Sequence, residues 1–167
     1  GSIVEMNAGE GKTIAAAFPA VVHALRGSSV HVITANDYLA ARDADLLAPV
    51  YRSLGISAGA VLGYMEDGER KLAYRKGIVY STMRELGFDF LRDNLKFTSE
   101  AQVQGKLEVA IIDEIDHALI DEAFTPMIIS GSPVGNNRAV ARVKNVVAEM
   151  IGLQREVTQA LPGKLSH

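Results

Sequence analysis

The eight residues "MNAGEGKT", Met6 to Thr13, follow a short apolar run and lead into the helix-like segment "IAAAFPAVVHAL". This order of residue types suits a loop that wraps phosphates. Glycine frees consecutive backbone N–H groups from side-chain bulk, so that they can curl around an anion at a helix N-terminus, where the dipole favours negative charge. Gly9 and Gly11 supply that freedom, Lys12 offers a mobile positive charge to the β- and γ-phosphates, and the Thr13 hydroxyl suits Mg²⁺. Met6 stands where the pattern G-x-x-x-x-G-K-[ST] has its first glycine. A glycine-rich strand-to-helix turn with a surface lysine has much the same spacing, so the loop needs a second signal.

That signal is "VAIIDEID", residues 109–116, an apolar strand ending in Asp113 and Glu114. In phosphoryl-transfer sites an aspartate at such a strand end holds Mg²⁺, commonly through water, and the adjacent glutamate orients and deprotonates the attacking water. Two acids there could instead begin a solvated helix, favoured by its dipole. Paired with "GEGKT", the nucleotide reading is preferred. It makes Met6, Asn7, Ala8, Gly9, Glu10, Gly11, Lys12 and Thr13 the candidate nucleotide contacts, Lys12 and Glu114 the candidate catalytic groups, and Thr13 and Asp113 the candidate metal ligands. The implied cofactors are ATP and Mg²⁺.

The elements that must position these residues alternate along the chain. Apolar, β-branched runs recur at "SIVEM", "VHVITA", "SAGAVLG", "GIVYST", "LEVAIIDE" and "PMIIS", and helical segments such as "DYLAARDADLLAPVYRSLG" and "DGERKLAYRKG" separate most of them. This pattern predicts an α/β fold: a mostly parallel sheet of six strands flanked by helices in three layers, with the loop and the acidic pair at strand carboxyl ends. Asn36 or Asp37 should cap the helix beginning near Tyr38, Gly55 should end it, and Pro19 should bend the first helix. After "IISGSPVGNN", Val140, Val143, Val146 or Val147 and Met150 recur at helical spacing and predict one amphipathic helix. The expected division is a nucleotide-binding domain over residues 1–133 and a helical extension over residues 134–167.

Composition sets bounds. The chain has 167 residues, no cysteine, few aromatics and a net charge of −3. It is long enough for one well-cored domain. Without cysteine there is no disulfide framework or thiolate metal site, which is compatible with a cytoplasmic setting. No apolar stretch reaches the length of a membrane-spanning helix, and the first residues lack a secretory signal pattern. The mild negative charge gives no global attraction to nucleic acid.

The stretches "GEGKT", "HVITANDYLAARDA", "GFDFLRDNL" and "DEIDHALIDEAFTPMIISG" occur in an order and spacing that resemble the first nucleotide-binding domain of the SecA family, the motor ATPases of bacterial protein export. The resemblance covers residues 3–133 and includes Met6, which that family also has. It implies a RecA-like, P-loop NTPase fold of the superfamily 2 type, and ATP bound between this domain and a second motor domain in cis. It also implies as partners a membrane translocon channel and unfolded preproteins, with no nucleic acid, and a cytoplasmic, peripherally membrane-associated location in bacteria. A domain of this kind alone is expected to be nearly inactive. Three places depart from the family pattern: Ala8 replaces a threonine, "TNNE" becomes "TMRE" at residues 82–85, and "DEARTP" becomes "DEAFTP", with Phe124 in place of arginine. The alternative is a nucleic-acid helicase of the same superfamily, which would be expected to carry more basic and aromatic contacts.

Other polar residues have plainer readings. His23, His31, His117 and His167 lack metal-ligand spacing and suit structural or surface roles. Arg42–Asp43 and Arg92–Asp93 fit either a contact network or simple helix ion pairs. The run "GERKLAYRKG" reads as a solvated helix face.

Overall fold

The first unit of the chain, Gly1–Ile129, is built on four parallel strands in the order β2-β3-β1-β4, and Ser130–His167 forms a second unit. The computed structural model describes residues 1–129 and residues 150, 151, 153 and 154. The strands are β1 (Val30–Thr34), β2 (Ala58–Ala60), β3 (Ile78–Thr82) and β4 (Val109–Ile112). They alternate with α1 (Lys12–Leu25), α2 (Asp37–Ser53), α3 (Asp67–Tyr74) and α4 (Met83–Asn94). β1 is central, pairing Val30 with Ile78 of β3 on one side and with Val109 of β4 on the other. Each strand turns successive side chains to opposite faces. Val30, Val32, Ile78 and Tyr80 therefore pack with Ala17, Ala20, Ala40, Ala44, Leu47 and Tyr51 of α1 and α2. Val79 packs on the opposite face with Ala73 and Tyr74 of α3, Leu86 of α4 and Val103. The three layers expected of an α/β domain are present.

Two of the six expected strands do not form. Residues 2–6 are irregular, with Ile3 and Val4 84% and 77% exposed. A five-residue run gains from extended order only if it pairs and buries a face, and here neither side chain is buried. Residues 126–129 are also irregular. Pro126 has no N–H to give a ladder, which disfavours a strand at that point. The helix signals fare better. Asn36 caps α2 by accepting the Leu39 N–H at 2.9 Å, and the helix ends with Gly55 N–H donating to the Arg52 carbonyl and Ile56 N–H to that of Tyr51, the Schellman pattern. α1 runs through Pro19 without ending. Of the C-terminal helix, Val140, Val143, Val146 and Val147 lie outside the described residues; Met150 is helical.

The reading of residues 68–77 as a solvated face is corrected by Arg70 and Tyr74, which are buried. Asp89 of α4 has no exposed surface, and its carboxylate accepts hydrogen bonds from Arg70 at 2.9 Å and from the Tyr74 hydroxyl at 2.8 Å, with Arg92 as a further ion-pair partner. Arg70 also donates to Glu85 at 2.8 Å and to the carbonyls of Leu62, Gly63 and Met65. Burying a carboxylate is costly unless charge and hydrogen bonds compensate it, and this set does both. Asp93 does not join that cluster: it accepts the N–H groups of Val103 and Gln104 and fixes the chain leading to β4. Arg92 is thus an ion-pair residue and Asp93 a loop cap.

Asp89→Ala removes the fully buried carboxylate that Arg70, Tyr74 and Arg92 share, and should cost about 3–5 kcal/mol in urea unfolding. Asp67→Ala, which removes an exposed pair with Lys96, should cost at most about 1 kcal/mol. Equal losses would mean that the buried cluster is no more important than a surface pair.

His31, the second residue of β1, is buried, and desolvation holds its pKa below the ordinary histidine value. The neutral ring is therefore the native form, so stability is unaffected by this group above about pH 6.5 and falls as pH drops below it. His31→Leu should flatten the acid side of the stability curve by up to about 1.4 kcal/mol per pH unit. Unfolding midpoints of both proteins between pH 7 and pH 5 test this, and parallel curves would exclude His31 as the sensor.

Candidate functional site

The loop before α1 is shaped by two glycines and one internal clamp. Gly9 and Gly11 both have φ of 82°, a left-handed conformation that costs glycine little and other residues more. Across the turn, Asn7 donates its side-chain N–H to Glu10 at 3.1 Å and its backbone N–H at 2.9 Å. These bonds hold the exposed Glu10 carboxyl below its usual pKa. Gly11 is the N-cap of α1, and no side chain caps the helix or places an acid in its first turn. α2 and α4 are instead capped by Asn36 and Thr82, and α3 by a Glu66–Glu69 capping box. The amides of Lys12 and Thr13 thus open α1 toward an anion.

On the sheet side, β4 carries its chain to the same place. The Asp113 N–H extends the ladder by donating to the Ile33 carbonyl at 2.9 Å. Glu114 follows with φ of 50°, the only positive value at a non-glycine among the described residues. Its N–H donates to the Asp113 carboxylate at 3.0 Å. A left-handed glutamate stores roughly 1 kcal/mol or more of strain, a condition that concentrates at functional sites. A π-helical turn follows over His117–Asp121, another rare form found mostly at such sites.

Lys12 and Thr13 from the loop, and Asp113 and Glu114 from the end of β4, line one cavity of ≈ 360 Å³. Met6 also lines it, whereas Asn7, Ala8, Gly9, Glu10 and Gly11 form the turn beside it and are not on its wall. Residues far apart in sequence thus line one cavity. The rest of the lining is largely apolar, with Ala16, Pro19, Val32 and Ile111, and includes two groups that sequence reading had not placed there, Tyr80 and Asp43. The Tyr80 hydroxyl is 2.7 Å from that of Tyr51, and burial pushes both phenols above their ordinary pKa. Asp43 is buried and pairs with the half-exposed Arg42 at 2.6 Å. The sequence offers one signal for these residues: Tyr80 alternates with Ile78 on the strand face packed against α2, and Asp43 falls at helical spacing within the otherwise apolar stripe Ala40, Ala44 and Leu47 of α2. No helix among the described residues is long and apolar enough to cross a membrane.

Comparison with known proteins bears on the whole length. The chain is 45% identical over 166 residues to protein translocase subunit SecA 1 of Nitrosospira multiformis, covering 99% of this chain and 18% of that protein. It is 46% identical over 159 residues to protein translocase subunit SecA of Wolbachia pipientis wMel, covering 95% of this chain and 18% of the relative. The SecA of Orientia tsutsugamushi strain Boryong is 50% identical over 145 residues, 87% of this chain and 16% of its own. The chain therefore spans less than a fifth of the length of these relatives. The SecA DEAD-like domain family matches residues 1–160; with the parallel α/β fold and the paired loop and acidic strand end, the chain belongs to that family.

Proposed function

We propose that this chain supplies the ATP-binding half of a motor that couples ATP hydrolysis to the movement of unfolded preproteins across a membrane. The observation that carries the reading is the convergence of Lys12, Thr13, Asp113 and Glu114 on one cavity beneath an uncapped helix N-terminus. The names of the relatives, each a protein translocase subunit, support the transported class. In this reading residues 1–133 are the motor domain and residues 134–167 lead toward a preprotein-contacting region. The translocon channel and a second motor domain are partners of the longer protein, which would work at the cytoplasmic face of a bacterial membrane.

The residues present fit a Mg²⁺–nucleotide complex. Thr13 offers a hydroxyl oxygen and Asp113 a carboxylate oxygen in the lining of one cavity, and a hard cation takes oxygen ligands of this kind. When bound, Mg²⁺ would neutralise charge developing on the phosphate oxygens. The chain's own groups do the remaining work. Amides at the start of α1 and the ammonium of Lys12 hold the phosphates and favour negative charge near them. Asp113 spends one carboxylate oxygen on the Glu114 N–H, which fixes its orientation and leaves the other oxygen for the metal side. Glu114 takes the proton from the attacking water. An arginine from the second motor domain would complete the positive surroundings; such groups are worth about a thousandfold or more in rate.

Lys12→Ala should weaken Mg·ATP binding roughly ten- to a hundredfold in calorimetry, the worth of one charge-assisted hydrogen bond. Unchanged affinity would remove the loop from the site.

Phosphate release by the isolated chain should be close to the uncatalysed background and should rise on adding the second motor domain in trans. Glu114→Gln should abolish that rise. Strong turnover by the isolated chain that Glu114→Gln removes would show that the chain needs no second domain.

A further inference from the structure

Glycine is the weakest helix former after proline, yet Gly87 stands inside α4, past its first turn. Its lack of a side chain is used from outside the helix. Met127 lays its thioether there, so closely that an alanine methyl at position 87 would stand 2.5 Å from the Met127 sulfur and 2.8 Å from its terminal carbon. Residues 126–129 belong to no helix or strand. Of the large apolar side chains at residues 124–129, Phe124 and Ile128 face water, and Met127 and Ile129 are partly covered, 38% and 36% exposed. Met127 on Gly87 therefore fastens this segment to α4.

The fastening closes a circuit. From the acidic pair, backbone hydrogen bonds lead along the turn: the Ala118 N–H donates to the Glu114 carbonyl at 3.1 Å, that of Glu122 to the His117 carbonyl at 3.0 Å, and that of Thr125 to the Glu122 carbonyl at 3.0 Å. Met127 follows two residues later and brings the chain to α4. Met83, Arg84 and Glu85 of that helix border, together with Asp113 and Glu114, a second cavity of ≈ 310 Å³. The turn that begins at the acids is thus held at both ends. A hydrocarbon side chain could hold the far end equally well, but a thioether differs from it in accepting an oxygen.

We infer that Met127 is a site of reversible oxidation by a peroxide, and that its sulfoxide leaves the seat on Gly87. With hydrogen peroxide, one oxygen bonds to the sulfur, the O–O bond breaks and the second oxygen departs as water; the sulfur loses two electrons and the peroxide gains them. More than a third of Met127 is exposed, so a small oxidant reaches it. The new oxygen is a hydrogen-bond acceptor, and covering it without a donor is costly. α4 offers no donor at this level, because N–H groups beyond the first turn of a helix are committed to carbonyls four residues back. Water does offer one, so the oxidised side chain turns outward and the segment loses its hold on α4. The other methionines are placed differently: Met65 packs against the core, Met6 and Met83 line cavities, and Met150 is 63% exposed. The inference does not depend on the nucleotide reading.

The test treats the 167-residue chain with hydrogen peroxide, quantifies sulfoxide at each methionine by peptide mass spectrometry, and measures the rate of chymotryptic cleavage after Phe124. Oxidation of Met127 should raise that rate at least about fivefold, the population change expected when a local opening no longer breaks a contact. Methionine sulfoxide reductase should restore it. Met127→Leu conserves the volume and the apolar contact, and should cleave at the unoxidised rate with or without peroxide. Gly87→Ala fills the seat while favouring the helix, so it should cleave at the raised rate without peroxide and keep its circular dichroism. Should either variant unfold, the nuclear Overhauser effect between the Met127 methyl and the Gly87 α-protons, present in the unaltered chain and lost on oxidation, gives the same decision. Met127 left unoxidised by peroxide that converts Met150, an unchanged cleavage rate once Met127 is oxidised, a peroxide response that survives Met127→Leu, or a folded Gly87→Ala chain cleaved no faster than the unaltered one would each overturn the inference.

Discussion

Four strands that run the same way put all of their carboxyl ends on one edge of the sheet, and the acidic pair Asp113–Glu114 and the starts of α2 and α4 are placed by that constraint. A parallel pair cannot be closed by a tight turn, so each strand must hand over to a helix before the chain returns. The handovers at Ala35–Asn36 and at Thr82–Met83, and the turn beginning at Asp113, therefore gather along one edge. They are also where backbone groups lack ladder partners, and that is why caps, acids and strained residues are found there. Asn36 and Thr82 close two helix starts with their own side chains, and the start of α1 is left open. The difference between a sealed and an open helix end separates a structural turn from one that can receive an anion.

The buried charge cluster supports that edge from below. Arg70 reaches α4 through Asp89 and Glu85 and the chain after β2 through three carbonyls, so one guanidinium ties three segments together. Its fan of donors in fixed directions suits this task; a lysine's point charge would not span it. Because Glu85 also borders the second cavity, the cluster sets the position of part of that wall. Packing in the core and shape at the surface are linked here by a charged group rather than by apolar contact.

Much of this was legible in the sequence, and the limits have physical causes. β1 and β3 could be read because their β-branched runs are long enough to be buried on both faces, β4 because its apolar run ends in the acidic pair, and the ends of α2 because Asn36 and Gly55 act locally. The loop and the acidic pair stand out in the sequence by residue type and order, and the fold sets Lys12, Thr13, Asp113 and Glu114 around one cavity. "SIVEM" and "PMIIS" have the composition of strands but no place in the ladder, and pairing is a long-range property that composition does not carry. Arg70 and Asp89 were hidden for the same reason. Each looks like a surface residue until the fold brings them within 2.9 Å. The left-handed backbone of Glu114 and the π turn after it left no sequence signal, since neither uses the residues that usually mark such conformations.

The hydroxyl pair of Tyr51 and Tyr80 has an optical consequence. The chain has no tryptophan and five tyrosines, so its ultraviolet emission comes from phenols alone. Tyr38 and Tyr64 face water, whereas Tyr51, Tyr74 and Tyr80 are buried, each with its hydroxyl in a hydrogen bond. Tyr80 is the one among them on the wall of the first cavity, and it is joined through its oxygen to a residue of α2. Light emitted by this protein therefore carries information from that wall without any added label, and replacing Tyr38 and Tyr64 with phenylalanine would remove the emission of the two phenols that report only on bulk water.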